Sequence, residues 1–192
     1  MAFRMKTFLA LLVGFLFLIA LWIWSGYNSL VTMQEAVKNS WAQVETTYQR
    51  RVDLIPNLVN TVKGDANFEQ TTLQAVTEAR TKWMTAPDRG AKLEAAQGAE
   101  SAISRLLVTM EAYPQLQATQ AFRDLMAQLE GTENRINVAR RDYNDVVMKY
   151  NVGVRRFPQN VLAGMFGFGQ EKPFEAAPGS ENAPTVDFGI TK

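Results

Sequence analysis

The chain has 192 residues, 47% of them hydrophobic, with 20 Lys and Arg against 19 Asp and Glu. It contains no cysteine and no histidine, which excludes disulfide frameworks, thiolate zinc sites, thiol nucleophiles and the commonest general base and transition-metal ligand. The net charge of +1 gives no electrostatic reason for a nucleic-acid partner, and the length suits one domain with a segment to spare.

The spare segment comes first. Residues 1–6 are a short tail with Arg4 and Lys6, and residues 7–24, TFLALLVGFLFLIALWIW, are apolar and uncharged. At 1.5 Å per residue that stretch covers about 27 Å, close to the thickness of a bilayer core. Trp22, Trp24 and Tyr27 fall where an interfacial aromatic belt belongs. The alternative is a cleaved signal peptide, but the apolar run is long for one and no small-x-small site follows it. The expectation is therefore a single-pass anchor in a bacterial (inner) cell membrane. Bases precede the span and are sparse after it, which places the following domain on the extracytoplasmic side.

Residues 25–157 read as a helical bundle. Tyr27, Leu30, Val37, Trp41, Val44, Tyr48, Val52, Ile55, Leu58 and Val62 recur at steps of three and four, the period of an amphipathic helix. Pro56 interrupts this stripe. Either the helix kinks there, or it breaks with Asp53 as the new N-cap. The unbroken phase of the stripe favours one kinked helix ending at Gly64. A second helix is expected over 65–85, with Asp65 as cap and Phe68, Leu73, Val76, Ala79 and Trp83 inward. A third is expected over 91–111, ending at Tyr113-Pro114. A fourth carries Phe122, Leu125, Leu129, Ile136, Tyr143, Val147, Tyr150, Val154 and Phe157 at nearly 3.5-residue spacing. Gly131 inside it suggests a close helix contact. The fold class is all-α: an N-terminal transmembrane helix, then an antiparallel four-helix bundle of two long and two shorter helices.

The unequal lengths have a consequence. If all four helices meet at the end far from the membrane, only the two long ones reach the near end. Leu30, Val37, Val147 and Tyr150 are then expected to be partly uncovered. Residues 158–170, with Val161, Leu162, Met165, Phe166 and Phe168 among glycines, emerge beside the bilayer after Arg155 and Arg156. They either fold back on the stalk or lie at the membrane interface through Phe166, with the arginines at headgroups. Residues 171–192, rich in Pro, Gly, Glu and Asn, are expected to be a loosely held end.

Several ordered blocks resemble the LemA family across nearly the whole chain. They include Tyr27-Asn28-Ser29-Leu30-Val31, Gln49-Arg50-Arg51-Val52-Asp53-Leu54-Ile55-Pro56-Asn57-Leu58-Val59 and Glu111-Ala112-Tyr113-Pro114-Gln115-Leu116. Further blocks are Leu129-Glu130-Gly131-Thr132-Glu133-Asn134-Arg135-Ile136, Tyr143-Asn144 and Tyr150-Asn151. The resemblance implies an N-terminal anchor followed by an antiparallel helical bundle. It implies no agreed biochemical activity, although some relatives are linked with building or shaping membrane compartments. Many members carry a histidine where this chain reads Asn67-Phe68-Glu69, so any role of that histidine is missing here.

Three polar clusters stand out: Arg50, Arg51, Asp53 and Asn57 beside Pro56; Glu130, Glu133, Asn134 and Arg140; and Asp142, Asn144 and Asp145. None has the spacing of a di-metal motif, a calcium loop, a nucleophile elbow or a phosphate loop. Their expected role is structural, with Asp53 pairing an arginine of the fourth helix such as Arg140 to fix register. No catalytic residue, cofactor or metal is expected. The functional expectation is a membrane-anchored scaffold or adaptor that acts through protein–protein contacts with itself or other membrane proteins. Self-assembly or membrane shaping would be its finer form. The alternative is an extracytoplasmic ligand-binding sensor working with a separate transducer.

Overall fold

A computed structural model describes residues 2–63 and 69–174, with side chains from residue 5. The expected cap at Asp65, the stop at Gly64 and the inward Phe68 lie outside the described residues, as does everything after Phe174. Within the described residues there are seven helices and no strand.

Helix α1 (Ala2–Val52) runs unbroken from the apolar segment into the bundle, a length of about 77 Å. Most large side chains between Met5 and Trp24 are exposed around the whole circumference. A helix that is apolar on every side and uncovered by protein belongs in lipid, and this one is long and apolar enough to cross a membrane.

At Pro56 the hydrogen-bond ladder is interrupted. Asp53 and Leu54 form a turn, and α2 (Ile55–Val62) begins with the proline in its first turn, where a missing N–H costs nothing. The single kinked helix is thus replaced by two helices. Asp53 is not the cap, because Leu54 holds that position with right-handed helical angles. Retaining those angles keeps Val52, Ile55, Leu58 and Val62 in phase, and all four are buried.

Helix α3 (Gln70–Thr85) returns from the far end, and α4 (Arg89–Met110) goes back out. Asp88 starts α4 by accepting a hydrogen bond from the Ala91 amide at 2.9 Å. A single turn, α5 (Pro114–Gln117), leads to α6 (Gln120–Arg155), which descends along α2 and then α1. The two long arms and the α3–α4 hairpin enclose a core of apolar stripes that includes Trp83, Ile103, Met110, Ile136 and Tyr143. The expected Gly131 contact is absent, since a Cβ there would meet nothing within 4 Å. Phe157, expected to continue the seam, lies past the end of α6 and is exposed.

The near end is not left as two uncovered helices. Leu30, Val37, Val147 and Tyr150 are all buried. Cover comes from α7 (Gln159–Phe166), entered through a cis Phe157–Pro158 bond, and from the extended residues after it. Gly167 ends α7 with φ +76°, a left-handed conformation that glycine adopts without steric cost.

Candidate functional site

Polar and aromatic groups concentrate where α1, α4 and α6 face each other at mid-height. The buried Tyr48 of α1 donates its hydroxyl to Glu100 Oε1 at 2.5 Å. From α6, Arg140 Nη1 reaches both Glu100 oxygens at 3.0 and 3.1 Å. Burial holds the Tyr48 phenol well above its ordinary pKa, and the Glu100 charge pushes in the same direction. One turn further along, Arg51 is only 6% exposed and pairs with Glu133 of α6. Burial lowers the pKa of its guanidinium, opposed by the nearby Glu100 charge.

Of these pairs only Arg51–Glu133 joins the first long helix to the last, and the expected partnership of Asp53 with Arg140 is not formed. Two residues beyond Arg51 on a helix, a side chain points about 200° away, and Asp53 is exposed, accepting from Gln49 Nε2 at 2.8 Å. Of the remaining candidates, Arg50, Pro56, Asn57 and Asn134 are exposed. The structure therefore gathers Arg51, Glu133, Arg140 and Asn144 into contacts and leaves the others on the surface. Glu100, the acceptor that joins three helices, belongs to no motif. Only its position on a helix rich in alanine hints that it faces inward.

The second group is a strap. Glu171 to Phe174, expected to begin a loosely held end, are fastened along α6. Asn151 donates Nδ2 to the Glu171 carbonyl at 2.8 Å and accepts the Glu171 amide at 2.9 Å. Asn144 does the same for Phe174, at 3.1 and 2.8 Å. Seven helical residues rise about 10.5 Å, and three extended residues span about 10 Å, so the two clamps are in register. Between them the Tyr143 hydroxyl donates to the Lys172 carbonyl at 3.0 Å. The Tyr-Asn pairs at 143 and 150 thereby share one structural role. The rings of Tyr143 and Tyr150 are fully buried, and the adjoining amides bind backbone.

The strap delivers Phe174, 6% exposed, into an aromatic slot. Its ring stacks with Trp41 at 6.0 Å and Tyr48 at 6.2 Å, and meets Tyr143 edge-on at 5.6 Å. Arg140 lies over it at 4.9 Å. Arg89, at the start of α4, completes the junction by pairing with Glu171 at 2.8 Å and lying 5.6 Å over Trp41. Chemically the arrangement is a latch whose charges are spent on each other. Among the described residues, no three acidic side chains are grouped to hold a metal.

At the near end, Tyr27 meets Phe166 at 4.9 Å and Phe168 at 5.8 Å, both edge-on. Trp22, Trp24, Arg155 and Arg156 are exposed. Of the two alternatives for residues 158–170, folding back on the stalk is realised, with Leu162 and Ala163 buried.

Comparison with known proteins is consistent with this architecture. The chain is 28% identical to magnetosome protein MamQ 2 of Paramagnetospirillum magneticum, over 81% of this chain and 66% of the relative. It is 26% identical to magnetosome protein MamQ of Magnetospirillum gryphiswaldense over the same shares. It is 24% identical to protein LemA of Metamycoplasma hominis, over 71% of this chain and 63% of that protein. The chain thus spans just under two thirds of the length of these relatives. A family model described as the LemA family matches residues 40–188, a range that takes in the latch, both asparagine clamps and α7, and the chain belongs to the LemA family.

Proposed function

We propose that this protein is a single-pass, membrane-anchored scaffold whose bundle stands on the extracytoplasmic side and acts through contacts with other proteins or with copies of itself. The observation that carries this reading is the continuity of α1 from span to core. No flexible joint separates the anchor from the bundle, so the far end of α1 is held about 42 Å beyond Trp24. A rigid mast of this kind suits a part that sets distance and orientation. The similarity to magnetosome proteins supports a role in organising a membrane compartment.

The outer side of the α3–α4 hairpin is the face this mast presents. An open groove of about 690 Å³ runs along it, floored by Ala75, Ala79, Ala95 and Gly98 and edged by Glu78 and Arg105. Small residues let a partner helix approach closely, and charges of both signs at the edge set its register. Cross-linking in intact membranes followed by affinity purification tests the reading. Discrete heavier species are expected, either multiples of the chain or a co-purifying membrane protein. Monomer alone, with a melting shift on adding a small molecule, would favour the sensor instead.

A further inference from the structure

Helix α7 touches α1 over a very short stretch. Gln159 Nε2 lies 3.5 Å from Ser29 Oγ, and the Phe166 ring is 4.9 Å from Tyr27. Between them, Leu162 sits so close to the buried Gly26 that a Cβ there would be 2.4 Å from Leu162 Cδ1. Seven steps along α7, about 10.5 Å, therefore meet contacts on α1 that all fall within residues 26–29, a rise of about 4.5 Å. Two helices in contact this way cross steeply. If α1 stands upright in a bilayer, α7 lies close to the plane of the membrane.

Its height is also fixed. Gly26 is two residues beyond Trp24, the last residue of the apolar segment, a rise of about 3 Å. The exposed side of α7 carries Val161 and Met165, with Gly164 and Asn160 beside them. Val161 and Met165, one turn apart, are 49% and 68% exposed, and Phe157 ahead of them is 77% exposed. From Arg155 to Gly169 there are two arginines and no acidic residue, and both arginines are exposed. Exposed apolar side chains, a basic flank and a position at the end of the span are the attributes of an interfacial helix.

We propose that α7 is a foot that rests on the phospholipid surface beside the anchor, with Phe157, Val161 and Met165 at the acyl boundary and Arg155 and Arg156 at lipid phosphates. Leu162 docks the foot on α1 while its exposed side meets lipid, so docking on the stalk and contact with the membrane coexist. The foot fixes the tilt of α1, and with it the direction in which the α3–α4 face points. The proposal rests on α1 being the membrane anchor.

The chain has no native cysteine, so single labels are specific. The full-length protein is reconstituted in vesicles of phosphatidylcholine and phosphatidylglycerol, with an environment-sensitive fluorophore on Met165→Cys. Met84→Cys, 51% exposed on α3, serves as the aqueous control, and Leu16→Cys, 54% exposed within the span, as the lipid control. Doxyl-labelled lipid is expected to quench Leu16→Cys and Met165→Cys but not Met84→Cys, and iodide only Met84→Cys. Iodide quenching of Met165→Cys equal to that of Met84→Cys, with Leu16→Cys still quenched by lipid, overturns the foot and leaves the anchor standing. Shielding of Met165→Cys from both quenchers means protein covers this face, and also overturns it. A Leu16→Cys label untouched by doxyl lipid defeats the anchor reading itself.

Discussion

Asn144 and Phe174 exchange two hydrogen bonds across thirty residues of sequence, the amide of the side chain pairing with the backbone of the strap. A side-chain amide used this way imitates the edge of a strand, offering one donor and one acceptor to an extended segment that has no strand beside it. Asn151 repeats the arrangement one heptad further along α6. Replacing Asn144 by Ala leaves both backbone groups of Phe174 without their partner in a partly buried place. The expected loss is about 1–3 kcal/mol of stability, together with faster hydrogen exchange at the Phe174 amide. Thermal unfolding and amide exchange read the two effects. An unchanged exchange rate at Phe174 would mean that the aromatic slot alone holds the strap.

The Arg51–Glu133 pair permits a sharper comparison. Arg51 is buried while the Glu133 side chain is 41% exposed. Removing the carboxylate strands a charge in the interior, and removing both partners does not. Glu133→Ala is expected to cost about 1–3 kcal/mol, less than for a fully buried pair because solvent reaches the glutamate side. The double variant Arg51→Met/Glu133→Leu is expected to recover most of that loss. Chemical denaturation of the wild type and both variants decides it, and a double variant less stable than Glu133→Ala would contradict the assignment.

Three buried phenols give a pH dependence with a definite sign. Burial raises the pKa of Tyr48, Tyr143 and Tyr150 above the ordinary phenol value of 10.0. Above pH 10 the unfolded chain loses these protons while the folded one keeps them. The unfolded state then binds fewer protons, so stability falls as pH rises. The contribution is intact below pH 10 and declines above it, with a slope of at most about 1.4 kcal/mol per pH unit for each tyrosine. Tyr48→Phe is expected to flatten this decline in a series of melting curves between pH 9 and 12. An equal slope in wild type and variant would show that Tyr48 ionises as freely folded as unfolded.

Gly131 sits in the middle of α6, exposed, with open space where a Cβ would be. Gly131→Ala is therefore expected to raise stability by up to about 1 kcal/mol through backbone entropy alone. The same kind of change at Gly26, Gly26→Leu, collides with Leu162 and is expected to release α7. Differential scanning calorimetry separates the two signs.

Much of the architecture was legible because periodic patterns report which face is buried. The stripes from Leu30 to Val62 and from Phe122 to Val154 identified both long arms and their inward residues. The break at Pro56 was harder to read, since a turn that retains helical angles leaves the stripe in phase. Partners were less legible than faces. Arg51 and Asp53 are neighbours in one motif, yet a helix sends them to opposite sides. The true acceptor for Arg140 comes from α4, which carries no motif at all. Composition misled at Glu171 to Phe174, because a Gly- and Pro-rich context reads as loose. Only the repeat of Tyr-Asn at 143 and 150 hinted that α6 expects a second backbone, and periodicity cannot say which segment supplies it.

The central claim is that this mast holds the α3–α4 face where another protein meets it. A photo-crosslinking residue at Ser101, which lines that groove, tests this in native membranes, with Asp145 on exposed α6 surface as the comparison site. The account predicts a discrete heavier species from Ser101 on irradiation, at a yield well above that from Asp145. Monomer alone from Ser101, in membranes where the protein is intact and inserted, would contradict it.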